Sequence, residues 1–291
     1  MPVEKNINFK IDELTVFKTV ITTYELIAAS AMQKVRDSVL ANREFHIDLN
    51  TVFKEVRAAY QDKLNKIERR KKVLRKIVPS GFLKFSKKIY VLLSANTGLY
   101  GSIIAKTLDL FVDEIEKVRP DEIAIIGKVG DALFKSVRPK NAFTYFDFPD
   151  ADISIDALKK ISKYLSQFTE VVVFHGSFKS ILTQVPVYAS VSGSGLESQN
   201  NIVSESVRYR FEPALEEVFK FFETEIFASL LEQVFHESRL AKLASRLVLL
   251  DNASGNIDRF LEQAIFEGRR AKHRDFNRRQ INTYSSFALW V

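Results

Sequence analysis

The 291-residue chain contains no cysteine. That removes disulfides, thiolate metal sites and a cysteine nucleophile together, and it leaves no demand for an oxidising compartment. No stretch reaches the roughly 18 to 20 uncharged apolar residues that span a bilayer. The opening "MPVEKNINFKIDEL" has neither the apolar core of a signal peptide nor the Arg-rich, acid-poor character of a transit peptide. The expectation is a mature chain that starts near Met1 in a cytoplasmic setting. Proline and glycine are sparse at both ends: neither occurs among the 76 residues from Val3 to Val78. From Ala214 to Val291 there is no proline, and only Gly255 and Gly268 interrupt. Missing punctuators on this scale exclude loop-rich structure at either terminus and predict long helices.

What is present fits a folded protein. Hydrophobic residues make up 46% and charged ones 27%, with 24 phenylalanines, so apolar surface is ample for a core or for partners. The net charge of +7 points to an acidic partner without choosing among nucleic acid, anionic lipid and protein.

The N-terminal run places Ile11, Leu14, Phe17, Ile21, Tyr24, Ala28, Ala31 and Val35 at the three-four spacing of one helical face. A second helical piece, "TVFKEVRAAYQDKLNKIERRKKVLRKIV", follows from Thr51 and ends at Pro79. At the other end, Leu215, Val218, Phe222, Ile226, Leu230, Val234, Leu240, Leu243, Leu247 and Leu250 keep an apolar seam. As one helix, residues 214–291 would rise about 117 Å at 1.5 Å per residue. A helix that long cannot bury its seam on itself and must pair with another long helix.

Between the ends, "KKIYVLLSAN", "DEIAIIGKVG" and "TEVVVFHGSF" read as strands. "GSIIAKTLDLFVDEIEKV" and "DISIDALKKISKYLSQF" read as helices. Their alternation predicts βαβ units and a mostly parallel sheet. Residues 190–203 read as a mobile polar loop. The fold class expected is α/β: a long antiparallel coiled coil of N- and C-terminal helices with an inserted Rossmann-like domain. The boundaries are 1–78 for the first long helix and the helix after it, 79–204 for the inserted domain, and 205–291 for the last helix.

Six fragments, in order, resemble the gamma subunit of F-type ATP synthase. They are "VITTYELIAASAMQKVRDS", "SANTGLYGSII", "IAIIGKVGDALF", "VVVFHGSFKSILTQVPV", "RYRFEP" and "DNASGNIDRFLEQAIFEGRRA". The departures are local. Asn96 and Thr97 stand where the family has an acidic and a basic residue, and Tyr100 where cysteine is usual. Lys242 and Arg246 are the two candidates for the Arg of a loosely kept Ser-Glu-x-x-x-Arg-Met segment. The ending "QINTYSSFALWV" has lost most of the family's finish.

The loop Asn96, Thr97, Gly98, Leu99, Tyr100, Gly101 raises the question of a phosphate site. It offers neither G-x-G-x-x-G nor a lysine after its last glycine. A tight strand-to-helix turn capped by Ser102 is the structural reading. His46, His175, His236 and His273 are scattered and nominate no metal site. No residue is assigned a catalytic role, and no cofactor is expected.

Two basic clusters remain, Arg69–Lys76 and Gly268–Gln280. The second carries Arg269, Arg270, Lys272, Arg274, Arg278 and Arg279 against a single acid, Asp275. Three readings stay open: a solvated face, a surface for an acidic protein, or a nucleic-acid arm, which reads as lacking interleaved aromatics and any known module.

The resemblance implies a non-catalytic rotor shaft inside a ring of alpha and beta ATPase subunits (alpha3beta3). It implies epsilon-like and membrane-ring components, or substitutes for them, at the foot, reached through the Asn96–Gly101 loop. The complex would lie peripherally on the inner face of the cell membrane and couple ATP synthesis or hydrolysis to proton transport, with no nucleic acid bound. Phe287, Leu289 and Trp290 would turn in an apolar bearing. Alternatives are a gamma-like shaft driving another machine, such as one for motility, and a basic coiled-coil adaptor for nucleic acid or membrane.

Overall fold

The computed structural model describes residues 2–59, 87–138, 141–150, 154–191 and 215–287. Helix α1 spans Pro2–Ala59, strand β1 Lys88–Leu93, α2 Ile103–Val118, β2 Glu122–Ile126 and α3 Lys128–Val137. Then come β3 Thr144–Phe146, α4 Ile155–Leu165, β4 Glu170–Phe178, β5 Gln184–Ser190 and α5 Leu215–Phe287. The architecture is α/β with a long helix at each end. Two compact units result, one of residues 1–30 with 246–291 and the other of residues 31–245.

In the second unit the sheet order is β3-β2-β1-β4-β5. The β3–β2, β2–β1 and β1–β4 pairings are parallel, with Val91 opposite Ala124 and Val173, and only β5 runs antiparallel, with Val173 opposite Ala189. Parallel strands covered on both faces read as continuous apolar runs, as "IYVLL" and "IAII" do. Alternate residues supply two cores. Ile89, Val91, Ala124, Ile126, Val171 and Val173 pack with Ile161 and Leu165 of α4 and with Leu231, Val234 and Phe235 of α5. Tyr90, Leu92, Ile123, Ile125, Val172 and Phe174 pack with Leu108 and Phe111 of α2 and Phe134 of α3. Phe111 meets Phe134 and Phe174 edge to face at 5.8 and 5.2 Å.

Local chemistry ends the elements. Arg119, left-handed at φ 51°, donates its N–H to Ile115 O at the end of α2. The Ser154 hydroxyl caps α4 by accepting the Ala157 N–H. Ser102 sits at the start of α2 but makes no side-chain cap bond; the turn is made instead by Gly101 at φ 58°.

Three middle elements depart from the expected pattern. The run 121–130 is not one strand: β2 stops at Ile126, Gly127 turns at φ 101°, and α3 starts at Lys128. β3 has only three residues, and β5 carries Pro186, which an edge strand tolerates. Ser190, expected in a loop, ends β5, and Val191 is buried with its N–H on Val171 O. The remainder of that loop, 192–203, lies outside the described residues. The piece expected to begin at Thr51 continues α1 without a break to Ala59. Residues 60–86, including the cluster Arg69–Lys76, also lie outside the described residues.

In the first unit the seam keeps the expected phase at Ile11, Leu14, Ile21 and Ala28 and departs from it at two positions. The less exposed positions of α1 are Ile7, Ile11, Leu14, Lys18, Ile21, Glu25 and Ala28, alternating steps of four and three. That is the 3.5-residue repeat of a coiled coil. Phe17 and Tyr24, expected on the seam, are 54% and 51% exposed. The α5 seam is Leu250, Ser254, Ile257, Leu261, Ala264, Gly268, Ala271 and Asp275, again in fours and threes. Lys18 pairs with Asp258, and Gly268 adjoins Ile7, so the two helices run antiparallel.

Candidate functional site

The glycine loop follows β1 and is closed by its own chain. The backbone N–H groups of Asn96 and Thr97 donate to Asp150 Oδ2 at 2.9 and 2.8 Å, and the Thr97 hydroxyl donates to the same oxygen at 2.8 Å. Successive amides converging on one point make a nest for an anion. Here the anion is an internal carboxylate. The Asn96 side chain is spent as well: its NH2 donates to Asp147 Oδ1 at 2.5 Å and Phe148 O at 2.9 Å, and its Oδ1 accepts the Lys128 N–H at 2.9 Å.

Tyr100 is buried and packs with Ala95 and Ile103, so it lies beneath the loop surface. Thr97, Gly98 and Leu99 form the exposed tip, with Leu99 left-handed at φ 67°. Around Gly98 there is open space, whereas a Cβ on Gly101 would lie 2.6 Å from Ser245 Oγ.

Helix α5 supplies the other wall. Of the two candidates for the family's Arg, Lys242 reaches this loop: its ammonium donates to Ser94 O at 2.8 Å and stands 3.7 Å from Asp150 Oδ1. Both side chains are about nine-tenths buried. The Ser245 hydroxyl donates to Tyr100 O at 2.8 Å. Nearby, Ser177 Oγ donates to Glu237 Oε1 at 2.8 Å. His175 lies buried in β4 beside Gly176 O, and loss of hydration pushes its pKa below the ordinary histidine value. His236 is shifted the same way, again mainly by burial.

Chemically, this arrangement positions elements. Its donors are spent on Asp150, and Lys242 compensates that carboxylate. Asp150 and Ser245 were not singled out by sequence. The acid-rich "FDFPDAD" was the available signal, but Asp150 is 53 residues from Thr97, and no local pattern links them.

The helix pair of the first unit carries the other candidates. Arg269, Arg270, Lys272, Arg274, Arg278 and Arg279 are all exposed. Arg279 pairs with Asp275 at 2.7 Å, and the Arg270 guanidinium lies 5.8 Å from the Phe266 ring centroid. Phe276 is exposed between Arg274 and Arg278, so the basic stretch does hold an interleaved aromatic. Phe9, Val16, Phe17, Val20, Leu26 and Ile27 on α1, with Phe260, Phe266, Ile281 and Tyr284 on α5, are also exposed. Phe287 ends α5; Leu289 and Trp290 lie outside the described residues. Among the described residues no helix is long and apolar enough to cross a membrane.

A family model described as ATP synthase matches residues 4–274. The ATP synthase gamma chain of Dinoroseobacter shibae is 22% identical over 290 residues, covering 94% of each chain. Among solved structures, the fold is similar to a chain of the Tetrahymena thermophila mitochondrial ATP synthase central stalk and c-ring. That match has a TM-score of 0.53 and 16% identity, and covers 81% of this chain and 99% of the other. A chain of the Euglena gracilis mitochondrial ATP synthase OSCP/F1/c-ring assembly matches with a TM-score of 0.51 and 12% identity, covering 89% and 94%.

Proposed function

This chain belongs to the gamma-chain family of the ATP synthases, and we propose that it is the central-stalk rotor of a rotary ATPase. The observation that carries this reading is the outer surface of the helix pair, rich in exposed apolar and arginine side chains yet built on a regular 3.5-residue seam. A self-contained coiled coil would turn polar residues outward. A shaft that slides inside a sleeve needs a stiff seam within and a low-friction apolar exterior.

On this reading the chain performs no bond chemistry. ATP binds and is hydrolysed, or is made, in an alpha3beta3 ring around the shaft. Each catalytic state of the ring favours one orientation of the asymmetric shaft, so rotation is a series of population shifts. Differential contact energy between states supplies the torque. The exposed arginines from Arg269 to Arg279 meet acidic ring loops, and residues 285–291 turn in an apolar bearing. Residues 79–204 form the foot body, and the tip Thr97–Leu99 faces epsilon-like and membrane-ring components or their substitutes. The complex couples rotation to proton transport from the inner face of the membrane.

Purification of the native complex tests this. Recovery with two larger nucleotide-binding chains supports the shaft. Recovery alone, with DNA binding that weakens steeply with salt, supports a basic adaptor instead. The bearing is tested by deleting residues 285–291, which should reduce complex assembly or ATPase rate. If both are unchanged, the bearing is wrong.

A further inference from the structure

We propose that Lys242 and Asp150 form a built-in torque joint, in which the α5 ammonium fills the ligand crevice of the α/β body and locks that body to the long helix. The proposal rests on the rotor reading, since it assigns the place where turning force passes from helix to body.

The sheet explains the location. The chain leaves β1 for β2 and β3 on one side, then returns to β4 on the other. Doubly wound sheets bind their ligands at such a switch point, outside the carboxyl ends of the two strands. Here the lining of that crevice includes Leu93, Phe148, Asp150, Phe235, Arg239 and Lys242, and Lys242 donates to Ser94 O, one residue past β1. Asp150 is bifunctional. Its Oδ2 gathers the Asn96 and Thr97 amides and the Thr97 hydroxyl, while its Oδ1 faces Lys242 at 3.7 Å. One carboxylate thus ties the loop to the helix.

The neighbouring contacts lie on the same face of α5. Glu237 accepts from Ser177 on β4, Ser245 donates to Tyr100 O, and a Cβ on Gly176 would stand 3.4 Å from Ala241 Cβ. Two turns of α5 therefore meet the body through directional polar contacts and one close backbone approach. Apolar contact is non-directional and permits a helix to slip about its own axis. Short hydrogen bonds weaken steeply with angle and resist that slip.

Two readings test the joint. In the full chain, Lys242→Met should speed hydrogen exchange at the Asn96 and Thr97 amides at least tenfold while β4 amides keep their protection. Unchanged exchange at those two amides overturns the joint. In membrane vesicles holding the assembled complex, Lys242→Met should lower ATP-driven proton uptake per ATP hydrolysed at least fivefold, with ATPase rate within twofold of the parent. Lys242→Arg should restore the ratio. Faster exchange with an unchanged uptake ratio overturns the transmission role. Should Lys242→Met lose β4 protection as well, Ser245→Ala is read in the same two assays, and no change in either overturns the proposal. A parent chain that captures no ring defeats the rotor reading, whereas the exchange result stands apart from it.

Discussion

Gly268 of α5 and Ile7 of α1 meet so closely that a Cβ on the glycine would lie 3.3 Å from Ile7 Cγ2. With Ala264 and Ala271 one step either way on the seam, the helix backbones are allowed a close approach there. Gly268→Ala gains up to about 1 kcal/mol of helix propensity. Ile7 must yield slightly, so the net change should stay within about 0.5 kcal/mol. Gly268→Leu overfills the contact and should cost about 2 kcal/mol. Urea unfolding of the full chain measures both.

The phase of the α1 seam makes a sharper prediction. Leu14 lies on the seam and Phe17 does not. Leu14→Ser should cost about 2 kcal/mol. Phe17→Ser should stay within about 0.5 kcal/mol, as for an exposed position, although it removes the larger side chain. A loss for Phe17→Ser as large as that for Leu14→Ser, in thermal or urea unfolding, would put Phe17 back on the seam.

That phase shows what the sequence could and could not reveal. Both long helices were legible because proline is absent and glycine absent or rare over such lengths. Their facing was legible at most seam positions but not at all of them, because periodicity equates apolar with buried. Phe17 and Tyr24 are apolar and exposed, while Lys18 and Glu25 hold seam positions. A chain whose outer surface is itself apolar misleads that rule. β1, β2 and β4 announced themselves as doubly covered apolar runs. β3 is too short to carry a pattern, and Pro186 broke the signal of β5. The link between Asp150 and the glycine loop depends on tertiary closure across 53 residues, and no spacing rule reaches that far.

Two glycines of the α/β body should respond very unequally. Gly127 sits at φ 101°, and a Cβ there would lie 2.7 Å from the Ala95 backbone, which cannot turn aside. Gly127→Ala should cost about 2 to 3 kcal/mol, the range of strained backbone positions. Gly98 has open space around it, and Gly98→Ala should change stability by less than about 0.5 kcal/mol. Midpoints of urea unfolding for the two variants decide this.

Buried His175 predicts a direction for acid sensitivity. Its folded pKa lies below the ordinary value of 6.5 because burial disfavours the imidazolium. Below about pH 6.5 the unfolded chain therefore binds more protons than the folded one. Stability should be full above that pH and fall as pH drops toward the folded pKa, by up to about 1.4 kcal/mol per pH unit for one such group. His175→Gln should flatten the decline between pH 7 and 5 relative to the parent. His236, also shifted down by burial, retains part of the slope. An unchanged slope in His175→Gln would show that His175 does not contribute.

The central claim, a rotor shaft rather than a free-standing adaptor, is tested most directly by the composition of the complex purified with this chain from its native source. Mass measurement of the intact assembly should find one copy of the chain within an alpha3beta3 ring of nucleotide-binding subunits. Recovery of the chain alone or on nucleic acid, with no such ring at any salt concentration, would contradict it.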